Sequence, residues 1–265
     1  MNLFLFELKR NYKPFLVWAI VEIFMVAAGM SKFSASVKSG QSINQFLEKM
    51  PPMFQALFGV GQFNLSTAFG FYCVLFGYLV LISVVHATLL GSTIVSKEER
   101  DKTSEFLYTR PISRSQILTQ KILLSAILMI FLNLIAFFAS FIFLKEVGNG
   151  AVDSLILIKM MGGMLALQIV FFSIGLVCSA GVKNAKIAPA IASGILLFAF
   201  LLYQFLELDQ RLNGWKVLTP FAYFTAKNIT SPEGVPVLFC FLSAGLVIGG
   251  ITGAYLLYRN RDINF

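Results

Sequence analysis

Residues 69–116 read FGFYCVLFGYLVLISVVHATLLGSTIVSKEERDKTSEFLYTRPISRSQ. The first 27, Phe69–Val95, contain no Asp, Glu, Lys or Arg. Wound as a helix they rise roughly 40 Å, more than the ~30 Å hydrocarbon core of a bilayer. The character then inverts: Ser96 to Arg114 is dense in charge. Ser113-Arg114-Ser115-Gln116 fits a capping box, with Ile112 and Ile117 placed as a hydrophobic staple, and a second long apolar run follows. This order predicts a membrane helix, a short polar segment and a returning membrane helix.

The rest of the chain repeats that reading. Six apolar runs are long enough to span: about Phe15–Met30 (extending toward Phe33), Phe69–Val95, Ile117–Leu144, Leu155–Val182, Ile187–Leu206 and Val235–Tyr258. They are continuous, not alternating, so a β-barrel is excluded. The fold class expected is an all-α membrane protein forming one transmembrane domain over residues 1–265. The 265 residues are 57% hydrophobic and 13% charged, with a mean hydropathy of +0.79. Soluble domains are about 45–50% apolar and about 25% charged. A soluble enzyme is excluded, and 28 Phe, 8 Tyr and 2 Trp exclude a disordered chain.

The formal charge of +8 is read here as topology, not as affinity for nucleic acid. One side of the alternating spans holds thirteen cations, including Lys9, Arg10, Lys13, Lys97, Arg100, Lys102, Arg110, Arg114 and Lys121. The other holds eight, among them Lys32, Lys38, Lys49, Arg211, Lys216 and Lys227, spread over longer loops. The richer side is expected in the cytoplasm, with both termini. The first run follows a basic start and ends near Ala27-Ala28-Gly29. It carries Glu22 and five more spans follow, so it reads as an uncleaved anchor. Cys73, Cys178 and Cys240 lie in apolar runs with no CxxC pair, and they read as small core residues.

Residues 1–13 are expected to form an amphipathic helix on the membrane surface, with Phe4, Leu8 and Tyr12 on one stripe and Glu7, Arg10 and Asn11 opposite. Pro14 is expected at an elbow before the first span. The external segment 34–68 holds a capping box at Ser42–Gln45 and apolar positions around Pro51-Pro52. It reads either as two short helices on the outer leaflet or as an ordered loop. Trp215, Pro220, Phe221 and Tyr223 in the last external loop read as an interfacial aromatic cluster.

Within 96–116, a short helix is expected over about Thr103–Tyr108, exposing Phe106 and Leu107 and stopped by Pro111. The string resembles the cytoplasmic coupling region of type-2 ABC exporter permeases. The residues that carry the likeness are Glu98-Glu99, Thr103, Glu105, Leu107 and Pro111-Ile112-Ser113-Arg114; Lys102 stands where that family has Gly, and Phe106 where it has Leu. The six-span layout, Leu57-Phe58-Gly59, Leu218–Phe221 and Arg259–Asp262 are similar too. The resemblance implies a transmembrane subunit working as a dimer, with a second copy or a paralogue, in a bacterial cytoplasmic membrane. It implies docking on cytoplasmic ABC ATPase subunits through Glu98, Glu99, Thr103, Glu105, Phe106 and Leu107. Arg110 and Arg114 are then possible ion-pair or headgroup contacts beside Pro111. The chain has no GxxxxGK[ST] pattern, so ATP and Mg are expected on the partner, with no cofactor here.

Glu22 and His86, the single histidine, are expected at similar depth in the membrane, about 10–14 Å from the cytoplasmic ends of their spans. Either they pair or line one polar cavity, or each finds its own partner. Asn133, Gln168 and Gln204 read as helix–helix hydrogen-bonders. Gly245, Gly249 and Gly253 form two GxxxG steps and are expected to permit close helix approach, within the subunit ahead of the dimer contact. Other classes fit less well. One histidine excludes HExxH and multi-histidine metal sites, no GxSxG occurs, and no internal repeat supports a secondary transporter. An antibiotic or bacteriocin self-immunity permease of the same family is the alternative role.

Overall fold

The computed structural model describes residues 3–39, 63–95, 113–148, 153–182, 184 and 186–259. The stretch 96–112, from Glu98 through Pro111, and most of segment 34–68 lie outside the described residues.

Among the described residues, six helices are long and apolar enough to cross a membrane. They are α1 (Leu3–Lys38), α2 (Ala68–Thr93), α3 (Arg114–Val147), α4 (Ser154–Gly181), α5 (Ala188–Glu207) and α7 (Val237–Arg259). Between α5 and α7 come 3₁₀ turns at Gln210–Leu218 and Pro220–Ala222 and the short α6 (Ala226–Thr230). Five of the six spans begin and end within a few residues of the apolar runs. The reason is that a backbone leaving water must satisfy its own hydrogen bonds, and helix does this within one segment.

Local chemistry fixes the helix starts. Thr67 Oγ1 accepts from Gly70 N at the head of α2, and Asp153 accepts from Leu155 N and Ile156 N at the head of α4. At α3 the Ser113 hydroxyl accepts from Gln116 N while Ser113 N donates to Gln116 Oε1. This is the capping box expected from the sequence. Pro189 sits in the first turn of α5, where its missing N–H costs nothing.

α1 departs from expectation. It runs unbroken from Leu3 to Lys38 with Pro14 inside it, so no elbow separates residues 3–13 from the first span. Proline removes one helix bond, from Arg10 O, and the remaining turns carry the helix through. The polar face is also reversed. Glu7 is buried at 3% exposure while Tyr12 is 44% exposed. Glu7, Arg10 and Asn11 gather beside the bundle, and of the expected apolar stripe Leu8 is half-buried and Tyr12 exposed.

The bundle is built on α2 and α4, which share the most extensive contact. α7 packs on α4, α1 on α3 and α2, and α5 on α2 and α4. α1 buries Ala19, Glu22, Val26, Met30 and Phe33, a single stripe at helical spacing. Its opposite side, with Ile20 and Phe24, is exposed, as suits a surface against lipid.

The α2–α4 crossing is close because it is made by glycines. A Cβ on Gly175 would lie 2.6 Å from Thr88 O and 2.9 Å from Ser92 N. Gly91 meets the α4 backbone near Phe172 and Leu176 in the same way. Across this contact Ser179 Oγ accepts from Val95 N at 3.3 Å.

The aromatic cluster expected at the interface is divided. Trp215 is exposed at 60%, but Phe221 and Tyr223 belong to the core. Phe221 packs on Phe171 and Phe200 at ring-centroid distances of 5.0 and 5.5 Å, and Tyr223 stacks on Phe239 at 4.7 Å. The buried Thr219 hydroxyl donates to Ala199 O at 2.7 Å. Residues 219–229 therefore fold back into the bundle end away from the chain termini. Irregular backbone is tolerated at such a place because protein surrounds it and satisfies it.

Candidate functional site

The described residues around 96–112 form a polar tie between three spans. Lys121, four residues beyond the start of the apolar run in α3, is 2% exposed. Its Nζ donates to Ile94 O at 2.7 Å, filling one of the carbonyls that the C-terminus of α2 leaves open. The same ammonium lies 3.7 Å from Glu7 Oε1 of α1. Glu7 also receives Arg10 Nη2 at 2.7 Å, and Asn11 Nδ2 donates to Glu7 O at 2.9 Å.

At the other flank, Arg114 Nη1 donates to Arg259 O at 3.5 Å, and the hydroxyls of Thr119 and Tyr255 lie 2.6 Å apart. The ends of α1, α2, α3 and α7 are thus linked where the charged segment leaves and re-enters the bundle. Of the coupling residues read from the sequence, Arg114 falls within the described structure; Glu98, Glu99, Thr103, Glu105, Phe106, Leu107, Arg110 and Pro111 lie outside it.

Sequence reasoning did not assign Glu7 and Lys121 to each other. Their signal was present: a lysine inside an apolar run and a glutamate near the same end of the chain. What was missing was the distance between them.

Deeper in the bundle, Glu22 is fully buried and Ser83 Oγ donates to its Oε1 at 2.5 Å. That hydroxyl also lies 2.9 Å from Leu79 O, so one proton serves two acceptors. Glu22 Oε2 and His86 Nδ1 have no hydrogen-bond partner among the described residues. The direct pair of Glu22 with His86 does not form. Ser83, one turn before His86, takes the carboxyl, and the imidazole packs on Trp18 with ring centroids 5.4 Å apart. Trp18 and Glu22 are one turn apart on α1, so both helices contribute neighbouring residues to one polar patch. Ser83→Ala leaves the carboxyl with no hydroxyl partner and is expected to lower stability by about 1–3 kcal/mol. Thermal unfolding in detergent measures this, and Ser83→Thr should restore most of the loss. An unchanged midpoint for Ser83→Ala would remove the hydrogen bond's importance.

Asn133 Nδ2 donates to Gln168 Oε1, joining α3 to α4 as expected. The glycine expectation is corrected. A Cβ on Gly245 or Gly249 meets nothing within 4 Å, and one on Gly253 meets only Val177 at 3.8 Å. The glycine of α7 that packs closely is Gly250, where a Cβ would sit 2.8 Å from Ser173 Oγ. It lies about 100° around the helix from Gly249. The GxxxG stripe faces outward, so it is not the intrasubunit contact.

Six lipid-length helices among the described residues, with apolar faces outward and polar groups turned inward, define a multi-pass membrane bundle. The family model described as ABC-2 family transporter protein matches residues 1–230, and the chain belongs to that family. Among curated proteins, none matches it. Membership makes the chain a transmembrane subunit of an ABC transporter, a class that works with ABC ATPase subunits.

Proposed function

We propose that this chain is the membrane half of an ATP-driven exporter that moves, or extracts from the bilayer, an amphipathic or hydrophobic compound. ATP and Mg are bound and hydrolysed on separate cytoplasmic ATPase subunits. Both termini and residues 96–112 face the cytoplasm, in accord with the thirteen cations on that side against eight on the other. The membrane is the bacterial cytoplasmic membrane, and two permease chains, identical or related, complete the channel.

The observation that carries the proposal is the joint one: a coupling-type sequence at 96–114 in a chain of this family, flanked by the Glu7–Lys121–Ile94 tie. ATPase closure pushes on Phe106, Leu107 and the acidic residues Glu98, Glu99 and Glu105. The tie carries that displacement into α1, α2 and α3 together, and the spans tilt to change access.

The test is co-purification with the ABC ATPase subunits of the same cell. Phe106→Asp and Glu105→Arg are each expected to reduce association at least about tenfold, as loss of a hot-spot contact does. Membrane insertion should not change, since neither residue lies in a span. Undiminished association with both substitutions would refute the assignment of 96–112 as the docking element.

A further inference from the structure

A cleft of about 100 Å³ opens between α2, α5 and the folded-back segment 219–229, at the bundle end away from the termini. Its walls are aromatic, with Phe76, Phe200, Phe221 and Phe224. Its polar side chains include Gln204, Thr225 and Lys227. No Asp or Glu lines it. Lys227 is exposed and makes no ion pair with a described residue, whereas nearby Lys216 is neutralised by Glu207 at 2.5 Å. Gly77 of α2 faces the cleft, and a Cβ there would meet nothing within 4 Å.

We propose that this cleft binds a single-chain anionic amphiphile, its apolar end among the phenylalanines and its carboxylate or phosphate at Lys227. The size suits a short alkyl segment or one ring, since an apolar cavity of about 150 Å³ holds benzene. The polar chemistry is one-sided. A cation entering here meets aromatic faces but also an uncompensated ammonium, while an anion meets an unpaired partner and two neutral donors. The recognised class is therefore an acid with an apolar chain, not an amine. That this amphiphile is the cargo rests on the exporter reading; that the site binds it does not.

The experiment uses the full chain in phosphatidylcholine nanodiscs. The probe is dodecanoate carrying a chain-terminal diazirine, compared with the dodecyltrimethylammonium analogue bearing the same group. After photolysis, labelled peptides are mapped by mass spectrometry. The carboxylate probe should label α5 and residues 219–229 several-fold more than the cation. Lys227→Gln should reduce that labelling about three- to fivefold, the scale of a partly exposed ion pair, and Lys227→Glu should reverse the preference. A Cβ at Gly77 enters open space, so Gly77→Leu should fold and bring labelling to background.

Competition by single-chain lysophosphatidylglycerol added to the disc identifies a bilayer lipid as occupant, and its absence identifies a soluble amphiphile; both require the site. Equal labelling by the two probes, or labelling unchanged by Gly77→Leu, overturns the proposal. Labelling that persists while ATPase association fails removes the exporter reading alone.

Discussion

Gly175→Leu is expected to leave little folded protein. A Cβ at this position already falls 2.6 Å from Thr88 O and 2.9 Å from Ser92 N, both on the backbone of α2. Backbone atoms cannot rotate aside as a side-chain end can. The whole of α2 must therefore move away from α4, and this is the contact on which the bundle is built. Separation also opens the Ser179–Val95 hydrogen bond, and the buried polar groups Thr88 and Ser92 lose their close packing. Overpacking of an ordinary core costs about 1–3 kcal/mol and sometimes more; here the loss should reach at least about 3 kcal/mol. Gly162→Leu is the internal control. It lies on the same helix, and its Cβ meets nothing within 4 Å. It should insert, fold and unfold with a midpoint close to that of the unsubstituted chain. Size-exclusion profiles and thermal unfolding in detergent compare the two directly. Equal stability of the two leucine variants would show that the α2–α4 crossing is not set by glycine.

Lys121→Ala should be the second severe change, and its effect should divide between stability and coupling. The ammonium holds Ile94 O at 2.7 Å and faces the buried Glu7 carboxylate at 3.7 Å. Removing one partner of a buried ion pair costs about 3–5 kcal/mol, because the remaining charge stays out of water without compensation. Arg10 continues to hold Glu7, which places the expected loss at the lower end, about 3 kcal/mol. The double variant Glu7→Gln/Lys121→Met removes the charges together and should be less destabilised than the sum of the single variants, with a coupling energy of about 1–3 kcal/mol. A second readout separates the mechanical role from the structural one. If the tie transmits displacement from 96–112, the double variant should remain folded and bind the ATPase, yet stimulate less transport per ATP. Full coupling in a stable double variant would reduce Glu7 and Lys121 to a structural clamp.

The two glycine patterns show why part of the site was legible and part was not. Gly245, Gly249 and Gly253 are a visible motif, and they face outward. Gly91 and Gly175 belong to no GxxxG step, only to the commoner small-xxx-small spacings Ala87–Gly91 and Gly175–Ser179, and they make the tightest crossing. In water, apolar periodicity names the buried face of a helix, because the other face must be polar. In a membrane the lipid is as apolar as the bundle interior, so spacing alone does not say which way a residue points. Polar residues carry more information. Asn133 and Gln168 were read as helix–helix contacts because lipid offers them no partner, and they bond to each other. Glu22 is costly against lipid for the same reason, and it is buried in the bundle. Its partner was not readable. His86 and Ser83 are three residues apart on one helix, and a small rotation decides which of them meets the carboxyl.

By itself the sequence determined where the chain leaves water, because transfer of charge into hydrocarbon is costly at every such position, whatever the fold. It determined the six spans, the Ser113–Gln116 cap and, through the 96–114 string, the family. Only the tertiary structure decided which faces meet. It turned Glu7 inward to Lys121, gave Glu22 to Ser83, drew Phe221 and Tyr223 from the expected surface into the core and left the GxxxG stripe outside. The physical reason is common to all four. Partition between water and an apolar phase is a property of each segment, whereas rotation about a helix axis is settled by close packing between helices that the segment alone does not contain.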